Sequence, residues 1–369
     1  MSSGCMKSSD IKDRDLGRWR PVIAVTMGDP AGIGAEIAVK ALADPRLYDI
    51  CKPFVIGDLK MIKDALGFTG INVTQRRITK PKEGVFRPGI INVVDLDNID
   101  MEEHTYGKVS AAAGRAAFDY IRTGIELAMA GEADAVVTGP IHKESLNRAG
   151  YKYSGHTEIF ADLTGTRDYA MMLVDQGMRV VHVTTHVSLR KACDLIKRDR
   201  VLIVIRLAND AALRLGVANP RIGVAGLNPH SGEEGLFGTE EIEEIRPAIE
   251  AARAEGINAE GPVPPDTLFA KARGGQYDIV VAMYHDQGHI PLKTVSFALD
   301  EKTGKWLSVS GVNTTLGLPI IRTSVDHGVA FGKAGKGTAN PESLVQAIHM
   351  AVQLAYGRNQ RQCQDEERR

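Results

Sequence analysis

Short apolar, β-branched runs alternate along this chain with longer stretches of helical spacing, and this alternation constrains the fold more than any other feature. Strands that alternate with helices specify a largely parallel sheet with helices on both faces, so the sequence predicts the α/β class. In such folds ligands bind at the carboxyl ends of the strands. The predicted strands are PVIAVTM at 21–27, PFVIG at 53–57, IINVVDL at 90–96, ADAVVTG at 133–139, VVHVTT at 180–185, RIGVAGL at 221–227 and DIVVAMY at 278–284. The main predicted helices begin at Gly34, Ser110, Thr239 and Pro341.

The length of 369 residues predicts two α/β domains. We expect polar extensions without structure at residues 1–20 and 358–369. The segment FALDEKTGKWLSVSG at 297–311 has two strand-like arms around a Thr-Gly turn and predicts a β-hairpin. No repeat or low-complexity linker marks the domain boundary, so the two domains can share long elements.

Charge and hydropathy exclude several classes of protein. The formal net charge of −1 argues against a nucleic-acid-binding surface. No apolar run reaches the roughly 18 residues that cross a bilayer, and the first residues lack the apolar segment of a secretory signal. We therefore expect a cytoplasmic protein with no membrane partner. The four cysteines are scattered and are expected to be reduced thiols.

Three apolar runs are each followed by a histidine in a polar turn, namely His186, His230 and His285. Neutral imidazole is the commonest side-chain ligand of a divalent metal, and a catalytic site of the zinc type takes three protein ligands. A single histidine after a strand is more often a surface or capping residue, but the threefold recurrence favours a metal site. Asp286 and Asp266 are expected to orient these ligands or to join them. The structural alternatives are a surface turn for Asp286 and a helix N-cap for Asp266.

Donors for an anionic substrate group form a second set of candidates. His156 and Thr157 in the segment GHTE at 155–158 stand at a predicted helix N-terminus, where free backbone N–H groups suit an anion. A capping box with Thr157 as the N-cap explains the same residues structurally. Lys293, Asn313 and Arg322 add donors for carboxylate or phosphate, and Arg322 can bind bidentately. For each of these three residues taken alone, a solvated side chain at a sheet edge is the simpler interpretation.

The glycine-rich segment MGDPAGIGAE at 27–36 follows a predicted strand and opens a helix, which is the context of a phosphate-binding turn. It matches neither the GxGxxG nor the GxxxxGK[ST] motif. A tight strand-to-helix turn capped by Asp29 is therefore the simpler interpretation.

A second glycine-rich segment, DHGVAFGKAGKGTANPESL at 326–344, resembles the adenine-side loop of the isocitrate and isopropylmalate dehydrogenases. Those metal-dependent oxidative decarboxylases bind NAD(P) without a Rossmann domain. The resemblance implies an NAD(P) site with four contact residues, His327, Gly328, Ala330 and Asn340. In such a site the small residues give the cofactor room to approach the backbone, while the histidine imidazole and the asparagine amide contact the base. Gly332 stands where those relatives place an acid that holds the ribose hydroxyls, so the choice between NAD and NADP stays open.

Seven motifs together resemble the 4-hydroxythreonine-4-phosphate dehydrogenase family of pyridoxal phosphate biosynthesis, over residues 21–357. In order they are VTMGDPAGIGAE, TGPIHKESLNRAGYKYSGHTEIFA, TTHVSLRK, GLNPHSGEEGLFGTEE, GPVPPDTLF, MYHDQGHIPLK and GVNTTLGLPIIRTSVDHG. The resemblance implies a homodimer of two α/β/α sandwich domains, similar to the isocitrate and isopropylmalate dehydrogenases, with an active site shared between subunits. We expect the first domain at 21–138 with 312–357 and the second at 139–311.

The same resemblance assigns roles to the candidate residues. His186 and His230 of one subunit and His285 of the partner would bind a divalent metal, which is Zn, Mg, Mn or Co. Substrate would contact His156, Thr157, Lys293, Asn313 and Arg322. The catalytic candidates are Lys293, Asp266 and Asp286; Lys293 or a metal-bound water would be the base.

The inserted hairpin, the wording HIPLK and Ala35 resemble the branch that acts on 4-phospho-D-threonate or 4-phospho-D-erythronate. That branch implies NAD(P)-linked oxidation of the C3 hydroxyl and decarboxylation to dihydroxyacetone phosphate. The alternatives are the pyridoxal phosphate enzyme itself, a cis-dihydrodiol dicarboxylate dehydrogenase, a metal-dependent hydrolase or phosphatase, and a metabolite-binding protein without activity.

Overall fold

The computed structural model describes residues 19–296, 298–300, 305–308 and 311–367. The predicted N-terminal extension lies almost wholly outside these residues. The strands are β1 (Val22–Thr26), β2 (Lys52–Gly57), β3 (Thr74–Ile78), β4 (Ile90–Asp95), β5 (Ala135–Thr138), β6 (Ala170–Asp175), β7 (Met178–His182), β8 (Ile222–Ala225), β9 (Ala259–Val263), β10 (Ile279–Ala282), β11 (Ala298–Asp300), β12 (Lys305–Ser308), β13 (Val312–Leu316) and β14 (Ile321–Val325).

The helices are α1 (Gly34–Leu42), α2 (Leu47–Ile50), α3 (Leu59–Thr69), α4 (Ala111–Met129), α5 (Lys143–Arg148), α6 (His156–Leu163), α7 (Leu189–Leu195), α8 (Arg198–Arg214), α9 (Arg246–Ala254), α10 (Pro265–Arg273), α11 (His285–Ser296) and α12 (Glu342–Glu367). No helix in the described ranges is both long enough and apolar enough to span a membrane.

The chain forms two compact units. The split unit comprises the described residues up to Thr166 together with Leu318–Ala355, and the inserted unit comprises Arg167–Gly317 with the chain from Tyr356 onward. The unit boundaries therefore fall at 166 and 317, where the sequence predicted domain changes at 138 and 311. The difference arises because α5 and α6 place Leu146 and Phe160 in a core cluster with Val136 of β5.

The sheet of the split unit has the strand order β3-β4-β2-β1-β5-β14 and is parallel throughout. Helices cover both of its faces. Gly124 of α4 lies against Val136, which is in register with Arg322 of β14. Because side chains alternate along a strand, Thr323 points to the opposite face, where its hydroxyl donates to the carbonyl of Ala347 in α12 at 2.8 Å. The predicted α/β/α architecture is confirmed in this unit.

The sheet of the inserted unit has the order β13-β6-β7-β10-β8-β9. Strands β7, β10, β8 and β9 are parallel, whereas β13–β6 and β6–β7 pair antiparallel. Val181 and Val281 pack in a cluster with α8 and α9. Their neighbours Val180 and Val280 pack on the other face with residues of α10 and α11. This unit is therefore also an α/β/α sandwich.

Two predicted segments near the C-terminus have different outcomes. The two arms of the hairpin predicted at 297–311 are confirmed, because β11 pairs antiparallel with β12. The predicted Thr-Gly turn between them lies outside the described residues. The tail predicted to lack structure is helical as far as Glu367. Gly357 lets α12 approach the backbone of Arg214 on α8. Arg361 of α12 also forms an ion pair with Asp210 of α8, with 2.5 Å between a guanidinium nitrogen and Oδ1. These contacts stabilise a segment whose composition alone favours disorder.

Candidate active site

Two of the three predicted metal ligands lie together in the inserted unit. His186 follows β7, His285 begins α11 after β10, and their ring centroids are 5.7 Å apart. Two imidazoles that bind one zinc-type ion at about 2.1 Å have centroids about 5 Å apart, so this pair fits a shared divalent cation. Both rings line a pocket of about 270 Å³ with Tyr284, Leu189 and Asp286.

Asp286 determines which nitrogen of His285 is available. The His285 Nδ1 lies 2.6 Å from Asp286 Oδ1, so Nδ1–H donates to the carboxylate and Nε2 keeps its lone pair. A carboxylate that holds a histidine in this tautomer is the usual support of a metal-binding imidazole. The carboxylate predicted to orient a ligand is thus in the required position.

Two further imidazoles, His182 and His289, extend this pair into the core and were missed in the sequence analysis. His289 stacks on His285 with centroids 3.6 Å apart and an interplanar angle of 12°. His182 is fully buried with its centroid 4.8 Å from that of His289. Burial lowers the pKa of His182 to about 3 and that of His289 to about 4, so both are uncharged at neutral pH. The spacing of His285 and His289 by one helical turn was the signal in the sequence.

His230 lies on a different loop, between β8 and α9. Gln287 of α11 connects the end of β8, which precedes the His230 loop, to the end of β10. Its side-chain amide accepts from the Met283 N–H at 2.6 Å and donates to the Gly226 carbonyl at 2.8 Å. Within the described residues no three His, Cys, Asp or Glu side chains form a complete metal site.

The remaining predicted residues of the inserted unit are more dispersed. Lys293 lies on α11 a little over two turns after His285. Asn313 is in β13, in register with Leu173 of β6. Asp266 is exposed in the first turn of α10, whose N-cap is Pro264, so the alternative of Asp266 as an N-cap was wrong.

The split unit brings three predicted substrate-binding residues together. Arg322 is 2% exposed, donates to Thr138 Oγ1 at 2.9 Å and lies 5.6 Å from the centroid of the Phe160 ring. Burial lowers the pKa of its guanidinium to about 9, and Glu158 opposes the shift. Burial and, to a smaller extent, the Arg322 charge hold the pKa of His156 well below its usual value. A buried cation beside a neutral imidazole is an environment that an entering anion stabilises.

His156 is the first residue of α6, and its Nε2 is buried with no hydrogen-bond partner in the described part of the chain. Thr157 lies in the first turn. The N-cap of α6 is Gly155, so the capping box with Thr157 as the cap was wrong: the helix begins two residues earlier than that cap implies. Thr157 therefore remains a candidate for contact with a ligand.

The glycine turn after β1 is explained by packing. A Cβ at Gly34 would lie 1.8 Å from the Met27 carbonyl oxygen, and one at Gly32 would lie 2.9 Å from Val329. Asp29 Oδ1 accepts from the Ala31 N–H at 2.9 Å, as the turn interpretation predicts. The glycines of this turn thus allow close approach of neighbouring backbone, including Val329 within the predicted cofactor loop.

The predicted cofactor loop has an unsatisfied acceptor. His327 Nδ1 donates to the Gly328 carbonyl at 2.9 Å, so Nε2 carries a lone pair; it is buried and makes no hydrogen bond to any residue that the structure describes. A base with an exocyclic amine could supply the donor. Ala330 has a left-handed backbone with φ 45°, and Asn340 Oδ1 accepts from the Glu342 N–H at 2.9 Å, which leaves its NH2 group as a donor. These features fit a nucleotide.

A clamp from α1, not recognised in the sequence, holds this loop. Glu36 is buried, and its Oε1 accepts from Lys40 Nζ at 2.8 Å and from the Ala339 N–H at 2.6 Å. Lys40 Nζ also donates to the carbonyls of Gly337 and Ala339 at 2.9 and 2.7 Å. The acid and base one helical turn apart on α1 therefore fix the chain immediately before Asn340.

Two α/β/α units, a paired imidazole site and a nucleotide-compatible loop define an α/β enzyme. The family model described as "Pyridoxal phosphate biosynthetic protein PdxA" matches residues 49–351, and the chain belongs to this family. Relatives described as "Putative D-threonate 4-phosphate dehydrogenase" from Clostridium botulinum and Oceanobacillus iheyensis are each 49% identical. The first alignment covers 91% of this chain and 97% of the relative, and the second 91% and 98%.

The crystal structure of 4-hydroxythreonine-4-phosphate dehydrogenase from Klebsiella pneumoniae is 44% identical with a TM-score of 0.80. The match covers 92% of this chain and 99% of that one. The family resemblance predicted from the motifs is confirmed, and the chain is a dehydrogenase that acts on a CH–OH group.

Proposed function

We propose that this enzyme oxidises the C3 hydroxyl of 4-phospho-D-threonate or 4-phospho-D-erythronate with NAD(P), and that the resulting β-keto acid loses CO2 to give dihydroxyacetone phosphate. The observation that carries the proposal is the buried Arg322 beside neutral His156, a site for a substrate anion, in a chain whose similar relatives are named for D-threonate 4-phosphate.

His186, His230 and His285 would hold the divalent cation, and the tautomer set by Asp286 directs His285 Nε2 to it. When bound, the cation supplies Lewis acidity at the substrate hydroxyl and the nicotinamide accepts the hydride. Lys293, two turns along α11, takes the hydroxyl proton in this proposal. Asp266, exposed in the first turn of α10, is the remaining catalytic candidate and would orient or join the metal ligands.

The substrate phosphate would bind in the split unit. Arg322 supplies the charge, while His156 and Thr157 supply contacts at the start of α6. Asn313 would contact the remaining oxygens of the substrate. Nucleotide binding would use His327 with Gly328, Ala330 and Asn340; Gly332 leaves NADP as well as NAD possible, because no carboxylate at that position opposes a 2′-phosphate.

A homodimer with a shared active site completes the proposal. Leu189, Leu236 and Ile290 of the inserted unit are each more than half exposed, at 62%, 75% and 62%. Exposed apolar side chains of this size near the candidate ligands favour contact with a second copy. Because one chain places His186 and His285 5.7 Å apart, we assign both to the same subunit and the third ligand to His230 of the partner subunit. The family resemblance had implied that His285 is the crossing ligand.

The substrate is tested by NADH formation with 4-phospho-D-threonate, 4-phospho-D-erythronate and 4-hydroxythreonine 4-phosphate, with and without a chelator. We expect turnover and CO2 release with one of the first two and none after chelation. Turnover of only the third would establish the second candidate, which the Klebsiella pneumoniae structure favours. No reduced cofactor with any substrate would refute a dehydrogenase of this class.

The subunit assignment is tested by mixing inactive variants. If His186 and His285 belong to one subunit, a mixture of His230→Ala and His285→Ala chains regains activity and a mixture of His186→Ala and His285→Ala chains does not. Activity in both mixtures would show instead that His285 crosses the interface.

A further inference from the structure

The loop that carries His230 has an unfavourable backbone. Five consecutive residues, His230 to Glu234, have left-handed φ values of 51°, 55°, 83°, 45° and 52°. Four of them carry a Cβ, which in this conformation approaches the following carbonyl oxygen. Such a run persists only when the surrounding structure imposes it, and strained backbone of this kind concentrates at functional sites.

Glu241 binds the residues from which this left-handed run starts. Its side chain is fully buried, and Oε1 accepts from the N–H groups of Leu227 and Asn228, both at 2.7 Å. Oε2 accepts from Asn228 Nδ2 at 2.9 Å. The left-handed run then starts from Asn228, whose carbonyl accepts from the Ser231 N–H at 3.1 Å. Glu241 thus fixes the point from which the loop turns.

The environment of Glu241 is specific for a carboxylate. None of the ion pairs formed by the described residues includes it, so its charge is balanced by neutral N–H donors alone, which is costly unless every bond is made. Gly232 lies directly against it, since a Cβ there would be 2.8 Å from Glu241 Oε2. The carboxylate and the middle of the left-handed run are therefore in contact.

We propose that Glu241 is the positioning residue for His230: its carboxylate holds the left-handed loop that presents the imidazole to the divalent cation. The inference depends on the proposed function, in which His230 is a metal ligand. Because the His230 side chain is exposed, the backbone determines where its ring lies. A glutamine in place of Glu241 would turn an NH2 group toward an N–H donor, and the loop would relax.

The test is calorimetric titration of the full-length protein with Zn²⁺ alone. We expect Glu241→Gln to weaken binding 10- to 100-fold, the usual effect of losing a group that supports a ligand. The control is Glu244→Gln, which removes an equal charge one turn away, where Glu244 pairs with Lys197 at 2.9 Å. It should bind Zn²⁺ as the wild type does. His230→Ala gives the affinity expected when the ligand itself is lost.

Gly232→Ala tests the same contact with Glu241 intact and decides the matter if Glu241→Gln does not fold by circular dichroism. We expect it to lose Zn²⁺ affinity as well. Wild-type Zn²⁺ affinity in the folded Glu241→Gln protein overturns the inference; if that variant does not fold, wild-type affinity in Gly232→Ala does so. In either case a loss of affinity in His230→Ala leaves the proposed function standing. Wild-type affinity in His230→Ala overturns both, because His230 is then not a ligand.

Discussion

Replacing Arg322 by methionine should make the split unit more stable and abolish anion binding at the same time. The guanidinium is 2% exposed, and burial lowers its pKa to about 9. The ordinary value lies above 12, and each pKa unit is worth about 1.4 kcal/mol, so the buried charge costs the fold on the order of 4 kcal/mol. Methionine has a similar volume and no charge to desolvate.

The substitution also removes the hydrogen bond from Arg322 to Thr138 Oγ1, which as a bond from a charged donor contributes about 1.5–3 kcal/mol. Thr138 keeps a bond to the Thr323 carbonyl, so no buried hydroxyl is left without a partner. The loss of the electrostatic interaction with Glu158 offsets part of the remainder, so the expected net gain is at most on the order of 2 kcal/mol. Saturating phosphate at about 100 times its dissociation constant should stabilise only the wild type, by about 3 kcal/mol.

Urea unfolding followed by circular dichroism, with and without phosphate, measures both effects. Arg200→Met is the matched control, because Arg200 is also desolvated but donates to the carbonyls of Val183 and Tyr169 at 3.0 and 2.9 Å. That variant should lose stability, since two main-chain acceptors lose their donor. An Arg322→Met protein that is less stable than the wild type would refute the reasoning and make the guanidinium a structural group.

Three further predictions follow from local geometry. Gly114→Ala should destabilise the split unit by about 1–3 kcal/mol, because its Cβ would lie 2.0 Å from the Ser145 carbonyl. At Gly67 a Cβ would have no neighbour within 4 Å, so Gly67→Ala should stabilise the same unit by up to about 1 kcal/mol. Urea midpoints of the Gly114→Ala and Gly67→Ala variants that shift in the same direction would contradict this pair of predictions. Asp286→Ala should weaken Zn²⁺ binding about 10-fold or more in equilibrium dialysis, with unchanged affinity as the contrary result. Burial lowers the pKa of His182 to about 3, so the unfolded chain binds a proton near pH 6.5 before the folded one does. Wild-type stability should fall as the pH drops from about 6.5 toward 3, and His182→Leu should fall less steeply; parallel profiles would show that His182 is not responsible.

The fold was largely predictable because the parallel strands are short apolar runs with helical stretches between them. The antiparallel strand β6 was missed, although Gln176 and Gly177 interrupt the apolar pattern between it and β7 and both have the positive φ of a two-residue hairpin turn. The helical tail was missed because its stability comes from contacts with α8, which a polar composition does not reveal.

The candidate site was predictable where a polar residue interrupts an apolar pattern, as at His186 and His285. His182 was not, because an imidazole inside a strand has no local signature until its neighbours are known. His289 could have been found from its spacing of one helical turn after His285, once that segment is recognised as a helix. The roles of Glu36 and Glu241 depend on bonds to backbone N–H groups at 339 and at 227–228, and no spacing rule encodes those partners.

The division of the chain into a split and an inserted unit has a consequence for the order of events during synthesis. β14 pairs with β5 over a sequence separation of 185 residues, from Thr138 to Thr323, and Lys40 clamps a loop almost 300 residues later. On the ribosome the inserted core of residues 167–317 is therefore complete before the split unit has its last strand. A nascent chain arrested at the length where residue 317 has just left the exit tunnel should already protect the inserted core from protease while the first 166 residues stay susceptible.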